Sequence, residues 1–338
     1  MTKASRSILF YLLCVVIVIA GETGIYFFKY GFTHEETDFE ATPPPLAIHK
    51  DETTLLFVGD IMLSRDVGML MASKNDFTWP FQKSAAVLSS ADLTFANLEN
   101  PVSTGGVKVG SIYSFRADPQ ALAGLQYAGI DVVSIANNHI WDYGSVAFSD
   151  TLDNLASAGI AYVGGGQNAA AAHDGVVEDA NGLKVGLLAY TNLLPAGVAA
   201  TDMAPGAALV ISDAQQAQMV QDIQKIKLRA DFVVVSFHWG DEYQPTHNAL
   251  QEKLGHLAVD AGADLVIGHH PHVVQDIEQY KGVPIVYSLG NFVFDQNFSF
   301  ETTHALAVRA VIKDQKLERL DRLPVEISNE FQPAIGSE

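Results

Sequence analysis

From Thr53 onward the chain alternates short, nearly continuous apolar runs with longer stretches in which apolar residues recur every three or four positions. The runs Leu55 to Val58, Leu93 to Ala96, Val132 to Ile135, Val185 to Leu188, Phe232 to Phe237, Leu265 to Ile267 and Ile285 to Tyr287 lack the alternation of a half-buried strand. They predict short strands covered on both faces. Helical spacing predicts helices over Pro119 to Ala128, Ser145 to Ala158, Asp213 to Arg229 and Asn248 to Ala261. In the third of these, Ala217, Val220, Ile223 and Ile226 form an apolar stripe that reads as core packing. Ala305 to Ile312 and Leu317 to Ile327 read as a hairpin around Lys313-Asp314-Gln315. Helices alternating with buried strands, without an internal repeat, predict a layered α/β body.

Five of the apolar runs lead directly into polar clusters. These are Gly59-Asp60, Asn97-Leu98-Glu99-Asn100, Asn137-Asn138-His139 followed by Asp142 and Gly144, His238-Trp239-Gly240-Asp241-Glu242, and Gly268-His269-His270-Pro271-His272. Each alone has an ordinary reading: Asp60 and Asn97 as turn or cap residues, His238 as a hydrogen-bonded core histidine. Together they point elsewhere, because sites in α/β sheets form outside the carboxyl ends of the strands. Imidazoles and carboxylates suit a divalent ion such as Mn, Fe or Zn, and a pair of ions needs about this many donors. In the last cluster, Pro271 separates two imidazoles that can point to one side. Gly59, Gly240 and Gly268 would let the backbone turn sharply beside such a site. His49, His173, His247, His256 and His304 fall outside these clusters.

The N-terminus changes the picture. Lys3 and Arg6 precede an apolar stretch from Ile8 to Phe28, interrupted at Glu22-Thr23-Gly24 and long enough to span a bilayer. Basic residues ahead of it place the N-terminus in the cytoplasm and the body outside. A cleaved signal peptide over Ile8 to Ala20 is the competing reading, although no clear small-x-small site follows. The acidic stretch His34 to Asp51, with Pro43-Pro44-Pro45, reads as a stalk. The expected organisation is therefore an anchor over 1–30, a stalk over 31–52, a body over 53–328 and a tail over 329–338. The single cysteine, Cys14, excludes an intramolecular disulfide and a cysteine-based zinc cluster.

Charge narrows the partners. Charged residues are 17% of the 338-residue chain, and 39 Asp+Glu against 20 Lys+Arg give a net charge of −19. Such a body does not hold a nucleic-acid backbone electrostatically. A polyanion would have to be met locally, through a metal or a small basic patch.

The motifs FVGDIMLSRDV (Phe57 to Val67), ANLENPVS (Ala96 to Ser103), SIANNHIWDYG (Ser134 to Gly144), SFHWGDEY (Ser236 to Tyr243), IGHHPHVVQ (Ile267 to Gln275) and YSLGNFVFDQ (Tyr287 to Gln296) occur in this order. Here the sequence resembles the CapA family of capsule and poly-γ-glutamate synthesis, whose domain is similar to calcineurin-like metallophosphoesterases. The resemblance implies a four-layer α/β/β/α sandwich on a bacterial membrane anchor, with a divalent metal, single or dinuclear, as cofactor. Carried over residue by residue, it implies Asp60, Glu99, Asn138, His238, His270 and His272 as metal ligands and His139 as the acid. Asn97, Asp142 and His269 are further candidates. Met62 stands where metallophosphoesterases place a histidine, and a thioether is a poor donor to a hard ion.

The function implied is that of a membrane-anchored, metal-dependent protein of envelope-polymer synthesis, acting on an amide or phosphoester. Its partners would be the bilayer, an anionic polymer or its precursor, and other membrane synthase subunits. A non-catalytic assembly or export component is a second reading, favoured by Met62, and an extracytoplasmic phosphodiesterase is a third. Arg65 and Arg116 are the nearby basic residues for a phosphate clamp.

Overall fold

The computed structural model describes residues 52–110 and 112–337. The expected membrane span and stalk lie outside the described residues, among which no helix is long and apolar enough to cross a membrane.

The first half of the body contains β1 (Thr53–Ile61), α1 (Arg65–Lys74), α2 (Ala85–Leu88), β2 (Leu93–Leu98), α3 (Leu122–Ala128), β3 (Val132–Ser134), α4 (Gly144–Ala158) and β4 (Ala161–Val163). Next come β5 (Gly165–Gly166), α5 (Ala169–Asp174), β6 (Val176–Ala180), β7 (Leu183–Thr191), β8 (Gly206–Ala207), α6 (Asp213–Lys227) and β9 (Phe232–His238). The chain continues with α7 (Ala249–Ala261), β10 (Leu265–His269), β11 (Ile277–Tyr280), β12 (Val283–Val286) and β13 (Asn291–Val293). It closes with α8 (Phe300–Thr303), β14 (His304–Lys313), β15 (Lys316–Ile327) and β16 (Pro333–Ile335).

Two sheets carry the body. One is eight-stranded in the order β16-β15-β14-β1-β2-β3-β4, with β13 also pairing with β1; the other is six-stranded, β11-β12-β10-β9-β7-β6. In the first, β1, β2, β3 and β4 run parallel, and in the second β7, β9, β10 and β12 do. Antiparallel strands close the edges.

Strand β1 shows why the expected runs were continuous rather than alternating. Leu55 and Phe57 face a core shared with Val185, Leu187, Phe232, Val234 and Ile267 of the second sheet. Leu56 and Val58 face another core with Met71, Leu125, Phe148 and Leu152 of the helices α1, α3 and α4. A third core joins Val233, Val235 and Val266 to Met219 and Ile223 of α6 and Leu254 of α7. The layers therefore run helix, sheet, sheet, helix. A mixed α/β fold of this kind buries both faces of its central strands.

Helix ends follow local chemistry. Ser212 and Asn248 begin α6 and α7 with capping boxes completed by Gln215 and Gln251. The turn of the expected hairpin places Asp314 and Gln315 at φ 50° and 61°, the pattern of a tight primed turn.

Two expectations are corrected. In α6 the buried face is Gln216, Met219, Asp222, Ile223 and Ile226, so the helix is rotated away from the Ala217–Val220 stripe; Ala217 is exposed. The cause is Asp222, which is drawn inward by the Tyr190 hydroxyl at 3.0 Å and the His173 ring at 2.7 Å. Residues 329–338, expected as a tail, include β16, whose Pro333–Ile335 backbone pairs with Val325–Ile327 of β15.

Candidate metal centre

The parallel strands deliver the polar clusters to one place. Asp60 on β1 is in register with Asn97 on β2 and with Asn291 on β13, while His238 on β9 is in register with His269 on β10. Glu99 follows β2, and Asn137, Asn138 and His139 follow β3. Gly59 and Gly268 permit this through close approach, because a Cβ on either would lie 2.0 Å from the carbonyl oxygen of Gly290 or Tyr287. Only Gly240 of the three expected turn glycines takes a positive φ, at 86°. His270 and His272 themselves adopt φ values of 100° and 59°. Such left-handed conformations of bulky residues cost free energy and cluster at functional sites.

Hydrogen bonds organise the buried side chains. Asn137 Nδ2 donates to Asn97 Oδ1 at 3.1 Å and to the Leu98 carbonyl at 2.8 Å. This turns the Asn97 amide nitrogen toward the carboxylates, where it donates to Asp60 Oδ1 at 2.8 Å and Glu99 Oε2 at 3.3 Å. It also lies 3.2 Å from His238 Nδ1, and His238 Nε2 lies 2.7 Å from Asn138 Oδ1. Asp60 Oδ2 accepts the His270 backbone N–H at 3.2 Å and lies 3.4 Å from His272 Nδ1. His269 Nδ1 is 3.5 Å from Asp60 Oδ1, an ion-pair distance. His272 Nε2 is 3.6 Å from Glu99 Oε1.

These contacts set the charges. Burial pushes the Asp60 carboxyl up, but the imidazoles of His269 and His272 outweigh it and hold it well below its usual range. Burial, reinforced by the negative charge of Asp60, drives Glu99 well above its usual range. Burial also pushes His238 well down, and lowers His270 to about 3 with help from the charge of His272. Neutral imidazoles beside carboxylates are the protonation state that metal ligation requires.

The donor set fits a divalent cation. Asp60, Glu99 and His238 each offer a ligand atom within 4.8 Å of the others, and so do Glu242, His270 and His272. Glu99 Oε1, His270 Nδ1 and both ring nitrogens of His269 are buried without a hydrogen-bond partner. Buried polar atoms left unpaired are costly, and a cation would satisfy the Glu99 oxygen and an imidazole lone pair.

His139 stands beside this cluster with a different environment. Its Nδ1 lies 2.8 Å from Asp142 Oδ2, its ring stacks on Phe115 at 3.9 Å between centroids, and its Nε2 is 3.9 Å from Glu99 Oε1. Asp142, a further ligand candidate from the sequence, is turned toward His139 and the Phe115 N–H at 2.8 Å. A carboxylate so placed orients the imidazole.

Three contributors lie outside the predicted site residues, although Asn137 and Glu242 belong to the polar clusters. Asn291 accepts from His272 Nδ1 at 3.0 Å, Asn137 fixes the Asn97 amide, and Glu242 joins His270 and His272. Asn291 and Glu242 lay inside quoted motifs, yet nothing in spacing alone distinguishes them from neighbours such as Asp241 and Asn297. Met62 does not replace the missing histidine: its sulfur accepts from the Ser64 backbone N–H at 3.2 Å and hydroxyl at 3.0 Å. Of the remaining described histidines, His173, His247 and His256 pair with Asp222, Asp276 and Glu278, and His304 stacks on Phe300.

Residues 54–296, which contain every member of this cluster, match the family described as bacterial capsule synthesis protein PGA_cap. The chain is 34% identical over 292 residues to the capsule biosynthesis protein CapA of Bacillus anthracis, covering 85% of this chain and 71% of that one. It is 33% identical over 296 residues to the PGA biosynthesis protein CapA of Bacillus subtilis, covering 87% and 76%. A probable polyglutamine synthesis accessory protein of Mycobacterium tuberculosis is 28% identical over 294 residues, covering 74% and 76%. This chain belongs to the bacterial capsule synthesis family that contains the CapA proteins.

Proposed function

We propose that this chain is a membrane-anchored, metal-dependent protein of anionic envelope-polymer synthesis, with poly-γ-glutamate or a related polymer as client. The observation that carries the metal dependence is the buried cluster around Asp60 and Glu99, in which Glu99 Oε1 and His270 Nδ1 have no hydrogen-bond partner. Support for the polymer comes from the relatives, which are named for capsule biosynthesis, PGA biosynthesis and polyglutamine synthesis. The apolar stretch Ile8 to Phe28 behind Lys3 and Arg6 supports a single-pass anchor over 1–30, a stalk over 31–52 and an extracytoplasmic body in a bacterial cell membrane. Other synthase subunits in that membrane are the expected partners. The layering, with the site at the carboxyl edges of two sheets, supports a metallophosphoesterase-like fold.

In this reading Asp60, Glu99, Asn138, His238, His270 and His272 hold one or two divalent ions of Mn, Fe or Zn. A bound ion would supply Lewis acidity and a water that ionises near neutral pH. The protein's own residues do the rest. Asn97 fixes the carboxylates, and His139, held by Asp142, gives a proton to the departing group of an amide or phosphoester. Phe115 covers one face of that imidazole. The net charge of −19 opposes a polyanion at long range, so its grip is confined to the cleft, where a cation reverses the local sign.

A second reading, a non-catalytic assembly or export component, is favoured by Met62, whose sulfur is committed to Ser64. The test is to incubate the purified full chain and Mn²⁺ with γ-linked polyglutamate and, separately, with a phosphodiester. Metal-dependent amide cleavage that disappears in His139→Gln supports the proposal. Phosphodiester turnover alone moves the function to an extracytoplasmic phosphodiesterase, and bound metal without turnover of either favours the assembly component.

A further inference from the structure

We infer that Glu242 completes a second cation position with His270 and His272, at the mouth of the cleft and distinct from the deep position of Asp60, Glu99 and His238. This rests on the metal-dependent reading above. The two triads have different exposure: Asp60, Glu99 and His238 are all buried, whereas Glu242 is exposed over two buried imidazoles. His270 Nδ1 is buried and without a partner, so the inner side of this position lacks its counterpart. His272 Nδ1 is directed to Asn291 Oδ1 at 3.0 Å, and its Nε2 lies 3.6 Å from Glu99 Oε1. A hydrogen bond to one ring nitrogen is the usual way a protein aims the other at a metal.

The backbone ties Glu242 to these imidazoles. Gly240 at φ 86° and Tyr243 at φ 60° bracket the turn that carries it, and the Tyr243 N–H donates to the Pro271 carbonyl at 2.8 Å. The turn is thus bonded to the proline that separates His270 from His272. Glu242 thereby supplies a donor to a cluster in which Met62 contributes none, since the Met62 sulfur is held by Ser64. A carboxylate is also a harder ligand than a thioether and better matched to Mn²⁺.

Exposure predicts unequal affinities: the deep ion is retained and the outer one exchanges. Calorimetric titration of the chelator-stripped full chain with Mn²⁺ tests this, with bound metal counted after gel filtration. Wild type should bind in two phases, and Glu242→Gln should weaken the weaker phase at least about tenfold, the loss of roughly 1.4 kcal/mol, while leaving the tight phase intact. Glu99→Gln should remove the tight phase. Two unchanged phases in Glu242→Gln, or a single phase in wild type that Glu242→Gln leaves untouched, would overturn the assignment of Glu242 alone. Absence of any Mn²⁺ binding by wild type would overturn the metal-dependent reading itself. Glu242 is exposed, and an unchanged thermal midpoint in chelator confirms that the variant is folded.

Discussion

Asn97 Nδ2 donates to Asp60 Oδ1 at 2.8 Å, and its own orientation is fixed by Asn137, which donates to Asn97 Oδ1 at 3.1 Å. One neutral amide therefore holds the most acidic group of the cluster in place. Asn97→Asp replaces this donor by a third buried carboxylate beside Asp60 and Glu99. A buried charge left unpaired costs about 3 kcal/mol or more. Denaturant unfolding in EDTA should show a loss of that order, and Mn²⁺ should restore part of it. Equal stability of wild type and variant in EDTA would contradict the wiring described.

In the proposed mechanism His139 and Asp142 would serve the proton and not the ion. In His139→Gln, metal-dependent turnover should fall by about 10²–10⁴-fold, with bound metal unchanged. Asp142→Asn should also lower turnover and keep its metal, since Asp142 touches His139 and the Phe115 N–H. Loss of metal in Asp142→Asn would place its carboxylate among the ligands.

Gly268 has a steric role. A Cβ there would meet the Tyr287 carbonyl oxygen at 2.0 Å and Trp239 Nε1 at 2.6 Å, and Trp239 itself donates to that carbonyl at 2.9 Å. Relief requires β10 to separate from β12, so Gly268→Ala should cost about 3 kcal/mol. The fall in the thermal midpoint measures it; a midpoint equal to wild type would show that the strands can part freely.

Acid should weaken the second sheet at Glu278. Burial raises its carboxyl, but the Tyr287 hydroxyl at 2.7 Å and His256 at 2.9 Å outweigh burial and lower it. A depressed carboxyl contributes stability above its ordinary value of 4.5 that is lost as pH falls through the lowered one. Glu278→Gln should therefore be less stable than wild type at neutral pH, with the gap closing in acid. A gap that is constant between pH 7 and strong acid would refute the linkage.

The fold was legible where burial is two-sided. Strands such as Phe232–His238 are fully buried, and their apolar runs carry no competing period. Short or edge strands were not legible: Asn291–Val293 is specified by pairing with β1, and β16 by pairing with β15. The face of α6 was misjudged because Asp222, a charged residue, is buried against Tyr190 and His173. At the site, residue types with metal chemistry stood out, and the structure brings Asp60, Glu99, His238, His270 and His272 together. Of the supporting amides, Asn97 was a candidate and Asn137 lay in a polar cluster, but their roles, like that of Asn291, come from which atom each faces. Asp142 shows the converse: its type suits a ligand, and its position makes it the partner of His139.

In the proposed function, the cluster around Asp60 and Glu99 holds a divalent ion. Elemental analysis of the full chain, purified without chelator and run beside Asp60→Ala and Glu99→Gln, is the decisive measurement. Stoichiometric Mn, Fe or Zn is expected in the wild type, with its loss in both variants. A wild type that carries no transition metal and takes up none at micromolar concentration, or variants that retain as much as wild type, would contradict it.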